Sequence, residues 1–436
     1  KNINIPMYKK IILSASLLLG VIGASAQTNG SNSPYSRYGF GLQNDQAQGF
    51  NKGMAGLAYG MNHSKQLNFK NPASYASIDS LTLIFDIGFS LQKANLEQGN
   101  AKKNANNSSI DYVMAGMRLA PNLGMTLGMM PYTTIGYDMN TTSKIMQSTG
   151  EVTQTETYKG DGGLHEVFIG LGYRPIKQLS VGANFGYLWG TMENSVYASY
   201  DNTSISSRRR LYAADIRTFK LDLGAQYEQR INRNNTLILG ATYGLGHEVN
   251  RPAFYIDQRI TTNQGSVGDT TRLANAFELP HTFGVGAVWN HRNRLRVGMD
   301  YTLQLWDGCR MPELVNNTYQ VSTNSFKNSH TLTIGGEYQP RPNSVYWFQQ
   351  IRYRVGLSMS TPYTKVNGVD GPRRYSATLG VAIPIQNGWS NRSVVNIAAQ
   401  YERVEPKFSG MITENYFRLC LGITFNEMWF SKWKVR

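Results

Sequence analysis

Segments in which every second residue is apolar, while the residues between are small, polar or charged, recur along this chain. They constrain its fold more than any other feature. Leu179, Val181, Ala183, Phe185, Tyr187 and Trp189 alternate with Ser180, Gly182, Asn184 and Gly186, and Phe219, Leu221, Leu223, Ala225 and Tyr227 interleave with Lys220, Asp222, Gly224, Gln226 and Glu228. Period two marks a β-strand, whose successive side chains point to opposite faces. A face carrying Lys, Asp, Gln and Glu beside an unbroken apolar face is rare in a soluble core. It fits the wall of a membrane barrel, where lipid-facing and lumen-facing residues alternate.

The pattern returns at Val297, Met299, Tyr301, Leu303 and Leu305, at Tyr353, Val355, Leu357 and Met359, at Tyr375, Ala377, Leu379, Val381 and Ile383, and at Phe417, Leu419, Leu421, Ile423 and Phe425. From Leu81 onward about fourteen such segments are predicted, an even number as in bacterial barrels. Their centres lie near Phe85, Val113, Gly128, Phe168, Phe185, Leu223, Leu239, Val285, Met299, Ile334, Val355, Leu379, Ile397 and Leu421. The connections test this independently, because one end of such a barrel has short turns and the other long loops. Residues 120–122, 174–177, 231–235, 290–293 and 386–390 read as tight turns rich in Pro, Asn or Gly. The polar stretches 101–109, 140–155, 200–210, 251–275, 307–326 and 361–372 between them read as long loops. A soluble β-sandwich or propeller has no reason to alternate in this way. The fold class is thus all-β: a transmembrane antiparallel barrel of about fourteen strands over residues 80–425.

Composition agrees. Charged residues make up 16%, against about 25% in a typical soluble domain, while Tyr (26) and Gly (43) are plentiful. Met7-Tyr8-Lys9-Lys10, an apolar run over 11–22 and Ala24-Ser25-Ala26 read as a cleaved signal peptide over 1–26, with 1–6 as upstream read-through and Gln27 as the mature start. The apolar run is shorter than the ~20 residues of a spanning helix. Two distant cysteines, Cys309 and Cys420, exclude a disulfide framework and a cysteine metal site. The net charge of 43 − 28 = +15 points, in an exported chain, to lipopolysaccharide phosphate or water as counter-charge rather than nucleic acid.

Residues 27–79 lack strand character and hold Gly53-Met54-Ala55-Gly56 and then Asn71-Pro72-Ala73-Ser74. Here the chain resembles the FadL/TodX family of outer-membrane transport proteins, in which a Gly/Ala-rich plug and an Asn-Pro-Ala motif precede the first strand. Glu278-Leu279-Pro280 before Phe283-Gly284-Val285, Asp300-Tyr301 before Trp306, and Arg352-Tyr353-Arg354-Val355 with Pro362 are similar to further stretches of that family. Ser33-Pro34-Tyr35-Ser36-Arg37-Tyr38-Gly39 looks like its Bacteroidetes branch, whose members serve transport or belong to secretion or assembly machinery. The resemblance implies a fourteen-stranded barrel with an N-terminal hatch, here carried by Gly53, Ala55, Gly56, Asn71, Pro72 and Ala73.

No convergent nucleophile, base and orienter is found, so no enzyme and no cofactor or metal are expected. His165-Glu166 and His247-Glu248 are adjacent in strands and so point to opposite faces. Asp222, Glu228, Asp300 and Glu337 read as solvated or paired lumen charges. Pro131 cannot donate to a ladder, so Gly128, Pro131 and Tyr132 mark a candidate lateral opening. Residues 426–436 form an aromatic-basic tail whose Trp429, Phe430 and Trp433 are candidate partner contacts. Two functions follow as expectations: a passive channel for hydrophobic molecules such as long-chain fatty acids, releasing them sideways, or a non-transporting barrel subunit or anchor of an outer-membrane secretion or protein-assembly complex. The expected partners are outer-membrane lipid and lipopolysaccharide, a hydrophobic ligand and envelope-complex proteins. The hatch is too short for a TonB-coupled plug, and both barrel ends are expected to face the periplasm.

Overall fold

The backbone of a membrane barrel must close on itself, because an open sheet edge in hydrocarbon leaves donors and acceptors unsatisfied. The computed structural model describes residues 31–428 apart from 148–149, 203, 262–264, 343, 345, 367, 386–392 and 409. The stretch 1–26 read as a signal peptide, and Trp429, Phe430 and Trp433, therefore lie outside the described residues. Fourteen antiparallel strands form one closed barrel: β1 (Thr82–Gln98), β2 (Ala101–Ala120), β3 (Leu123–Pro131 and Thr133–Gln147), β4 (Gly150–Ile176), β5 (Leu179–Tyr200), β6 (Ser207–Arg230), β7 (Asn235–Gly244 and Ala253–Thr261), β8 (Gly265–Leu273 and His281–His291), β9 (Leu295–Leu305), β10 (Ser329–Tyr338), β11 (Arg352–Ser360), β12 (Arg373–Ile385), β13 (Ser393–Glu405) and β14 (Thr413–Met428). Each pairs with its neighbour in sequence, and β14 closes on β1 from Thr82↔Met428 to Glu97↔Thr413. All fourteen centres read from periodicity fall in their own strands. Pairing runs past Phe425, where the sequence suggested closure, because Asn426 and Met428 still meet Ile84 and Thr82.

The apolar face of the alternation points outward. Phe185, Val285, Leu357 and Leu379 are all more than half exposed, a surface that in water would drive association and in a bilayer is the lipid-facing belt. Its border toward the long-loop end is a row of imidazoles beside aromatic rings. His165 lies 5.9 Å from Trp189 and His247 stacks on Phe219 at 4.2 Å. Tyr243 and Tyr301 hydroxyls meet His281 and His330 at 2.9 and 2.8 Å. Such amphipathic rings suit the headgroup level.

Beyond that border the strands continue. The stretches 101–109, 140–155, 200–210 and 251–275, expected as loops, are largely paired, as in Lys93↔Asn106, Asn140↔Thr157 and Gln258↔Arg209. Above the bilayer both faces meet water, so the alternation fades from the sequence while backbone pairing persists. The stretch 307–326 likewise holds a hairpin, Met311–Val315 with Thr318–Ser322. At the short-turn end, 339–351 is longer than its neighbours and carries exposed Tyr346, Trp347 and Phe348.

The polar face points inward, and its glycines accommodate the N-terminal segment, which runs inside the ring of strands. A Cβ on Gly182 would come within 2.5 Å of Pro72, one on Gly380 within 2.8 Å of Gly53, and Gly240, Gly356 and Gly124 abut Tyr59, Met54 and Tyr75. These contacts come from β3, β5, β7, β11 and β12, so the hatch touches the wall on opposite sides of the lumen.

Candidate functional site

Asn71-Pro72-Ala73 joins hatch to wall. Pro72 opens the 3-10 turn Pro72–Ser77, where its missing N–H costs nothing. Asn71 caps that turn: Ala73 N–H donates to its Oδ1 at 3.1 Å, while its Nδ2 donates to the carbonyls of Tyr59 at 2.8 Å and of Ala225 in β6 at 3.2 Å. Gly53 packs on Gly380, Ala55 N–H donates to Thr378 Oγ1 of β12 at 2.8 Å, and the Gly56 carbonyl accepts from Lys70 Nζ at 3.2 Å. Ala55 and Gly56 both have positive φ, 53° and 85°, and an alanine there is mildly strained.

Further wall contacts come from Asp300 and Glu337, read from the sequence as solvated or paired lumen charges, and from Gln226. Asp300 Oδ2 of β9 accepts from the backbone N–H groups of Ala58 at 2.6 Å and Tyr59 at 2.9 Å. Gln226 Nε2 of β6 donates to the carbonyls of Tyr59 and Met61 at 2.9 and 3.0 Å. Glu337 accepts from Arg354 Nε at 2.8 Å, with His63 of the hatch 3.6 Å away. Burial and the adjacent Arg296 hold the His63 imidazole well below its ordinary pKa of 6.5. Lys220 pairs with Asp222 and, at 3.4 Å, with Glu166. His165 meanwhile faces outward to Trp189, so the adjacent pair divides between the two faces. Alternation places these acids in the lumen, but no local signal shows that Asp300 holds backbone rather than a cation.

Pro131 and Tyr132 mark a break in the wall. β3 pairs with β2 only as far as Val113↔Met129. On its other side the ladder to β4 passes Pro131↔His165, and Tyr132 N–H donates to Leu164 O at 2.7 Å. Past the break, Thr133–Gln147 pairs with β4 and with the hatch strand Leu42–Gln43, and no ladder joins it to 101–111 of β2. Ser31 Oγ donates to Gly136 O at 2.9 Å, and Asn32 Nδ2 to Asn107 Oδ1 at 2.8 Å, so the hatch spans this gap from inside. Gly128 lies below it in fully paired sheet, between Met114 and Phe168. The gap opens at the His165–Trp189 level, where the outward residues of β3 become Asp138, Asn140 and Lys144. It therefore faces the polar side of the apolar border.

On the long-loop side of the hatch the lumen divides in two. One part is a packed apolar cluster in which Phe40 of the hatch, fully buried, lies 5.8 Å from Phe277, 5.8 Å from Trp306 and 6.3 Å from Phe326. The other is a cavity of about 280 Å³ that reaches the gap at Asn107 and Pro131. Its lining includes Lys52, Asp111, Glu402 and Arg418, with Lys52 Nζ 2.6 Å from Asp111 and Arg418 2.6 Å from Glu402. The side chains fill the apolar space and leave the polar space open.

A family model described as BamG matches residues 7–436. No curated protein matches the chain in sequence. Among solved structures it is similar to the CymD monoaromatic hydrocarbon channel (14% identity, TM-score 0.56, covering 89% of this chain and 98% of that one). It is also similar to the Ralstonia pickettii toluene transporter TbuX (13%, TM-score 0.58, 87% and 98%) and to a Pseudomonas aeruginosa FadL homologue (13%, 0.58, 87% and 98%). The FadL/TodX resemblance thus holds for the fold, which is that of outer-membrane channels.

Proposed function

This chain belongs to the BamG family, and we propose that it is a non-transporting barrel that anchors an outer-membrane complex for protein secretion or assembly. The observation that carries this reading is the filled apolar half of the lumen. A hydrophobic passenger would have to displace Phe40 from Phe277, Trp306 and Phe326 or cross the ion-paired cavity at Lys52 and Arg418. Burying a passenger against paired charges gains little, since the hydrophobic gain comes from apolar surroundings. In this reading the barrel ends face the periplasm, the hatch has no energy-coupling partner, and the loops and the tail with Trp429, Phe430 and Trp433 offer contact surfaces.

The test is purification from native membranes in mild detergent together with uptake in proteoliposomes. The anchor reading expects envelope proteins to co-purify, to be lost on removing 429–436, and no protein-dependent uptake of toluene or a long-chain fatty acid. Uptake by the wild-type barrel, with no protein partner retained, would overturn it.

A passive hydrophobic channel is the second reading, favoured by the break at Pro131 and Tyr132 and by the likeness to toluene transporters. It expects uptake that falls when Pro131→Val restores a ladder donor at the break, with the barrel still folded. Gly128, inside continuous sheet, is not part of that opening.

A further inference from the structure

Two features of the outer wall between β9 and β14, outside the lumen, lie one above the other with a single outward row between them. The first is a small pocket of about 190 Å³ at the border of the apolar belt, lined by Lys327, His330, Asp370, Arg373 and Lys407 among others. Lys327 and Lys407 share the single carboxylate of Asp370, at 2.8 and 3.4 Å. The Arg373 guanidinium has no hydrogen-bond or ion-pair partner among the described residues. Three permanent cations against one carboxylate leave the pocket with a charge of +2 before any imidazole is counted.

The second feature begins one outward row below. His330 and Arg373 flank Thr361, and the next outward row, Leu332–Met359–Tyr375, is apolar and exposed. Beneath it lies a groove of about 760 Å³ bordered by Ile334, Leu357, Leu379, Val381 and Ile397. Its floor is lowered at Gly336, an outward position without a side chain. From His330 to Gly336 the strand spans about 20 Å at ~3.4 Å per residue, the length of a fatty acyl chain.

We propose that this surface is a binding site for one phosphorylated lipid of the leaflet at the long-loop rim, a glycolipid of the lipid A type. The phosphate sits among Arg373, Lys327 and Lys407, and an acyl chain runs down the groove over Gly336. Guanidinium and ammonium groups are the usual partners of phosphate. A basic pocket one apolar row above a groove in the lipid-facing wall selects an anion that carries hydrocarbon, whereas a soluble anion has no use for the groove. The site is independent of whether the lumen conducts. It does rest on the long-loop rim lying in the outer leaflet.

The test uses the full-length barrel in mild detergent, read by native mass spectrometry after exchange into micelles with lipid A, dephosphorylated lipid A or inorganic phosphate alone. The wild type should retain lipid A well above the dephosphorylated form. The triple variant Lys327→Ala/Arg373→Ala/Lys407→Ala should lose about a hundredfold in affinity, at the usual weight of a basic residue beside an anionic membrane surface. Gly336→Leu, which fills the groove and leaves the cations in place, should weaken lipid A retention as well. Heat-modifiable gel migration checks that each variant is folded, and these side chains are surface-exposed or outward. Equal retention by wild type and triple variant, or of the two lipid forms, would overturn the site. So would protection of Lys407 from amine acetylation by inorganic phosphate without lipid, which would make the ligand a soluble anion, or groove photocrosslinks in native membranes that capture protein instead of lipid.

Discussion

Asp300→Ala should release the hatch without unfolding the barrel. Asp300 Oδ2 accepts two backbone donors, Ala58 N–H at 2.6 Å and Tyr59 N–H at 2.9 Å, both at buried residues. A buried donor left without an acceptor costs about 1–3 kcal/mol, so removing the carboxylate should cost the closed hatch roughly 3–4 kcal/mol if each loss falls near the middle of that range. The population with the hatch locally open should then rise by two to three powers of ten, at ~1.4 kcal/mol per factor of ten. β9 should stay in place, since Asp300 keeps its ladder positions opposite Gly286 and Thr333. Asp300→Asn retains an acceptor oxygen and loses only charge assistance, so about a tenfold effect is expected. The assay is hydrogen exchange of peptides covering 54–61, read beside planar-bilayer conductance. Exchange should quicken in the order wild type, Asn, Ala, with brief openings in the Ala variant. Unchanged protection of 54–61 in a folded Asp300→Ala barrel would refute the assignment of Asp300 as the hatch's anchor.

Phe40→Ala should empty an aromatic-sized space between Phe277, Trp306 and Phe326, costing about 3–5 kcal/mol in stability. The variant should gain toluene binding by calorimetry, and toluene binding of equal strength in the wild type would contradict a filled lumen. His63 has a folded pKa below the 6.5 of an ordinary imidazole, so the unfolded hatch takes up the proton first. Hatch closure should be fully stable above about pH 6.5 and weaken as the pH falls below it. Hydrogen exchange of 61–67 at pH 7.5 and 5.5 should show this, and His63→Gln should shrink the difference. Tags near Asn106, Asn202 or Gly265 should be reachable on intact cells and tags near Asn122 or Arg292 should not. Equal labelling of the two sets would reject the orientation.

The barrel was legible because its wall is a local pattern: each strand declares both of its faces within eight or ten residues, and the turn residues Pro121-Asn122 and 231–235 declare where it reverses. The extensions beyond the bilayer were not legible as strands. In Lys102-Lys103-Asn104-Ala105-Asn106-Asn107 the only apolar member is Ala105, and nothing local distinguishes a solvated strand from a loop. Pro131 lies at a break: the pairing of its strand with β2 ends at Val113↔Met129. The border of the belt at His165 and Trp189 was invisible until β4 and β5 were set in register, so the sequence could not show that the gap opens above it.

The lumen taught less from sequence because its chemistry depends on residues brought together from distant strands. Gly182 and Gly224 were readable as part of the small inward face, yet smallness alone is shared by an open pore and by a wall shaped to a plug. Contact decides between them: Gly182 and Gly224 meet Pro72, and Gly240 meets Tyr59. Phe40 carries the same lesson further. In the sequence it is one aromatic in a glycine-rich segment, but Phe277, Trp306 and Phe326 converge on it from connections beyond the strands of the belt. The apolar half of this lumen is thereby occupied by the barrel's own side chains. Under the anchor reading, passage is blocked by a few side chains such as Phe40 that no strand periodicity reports.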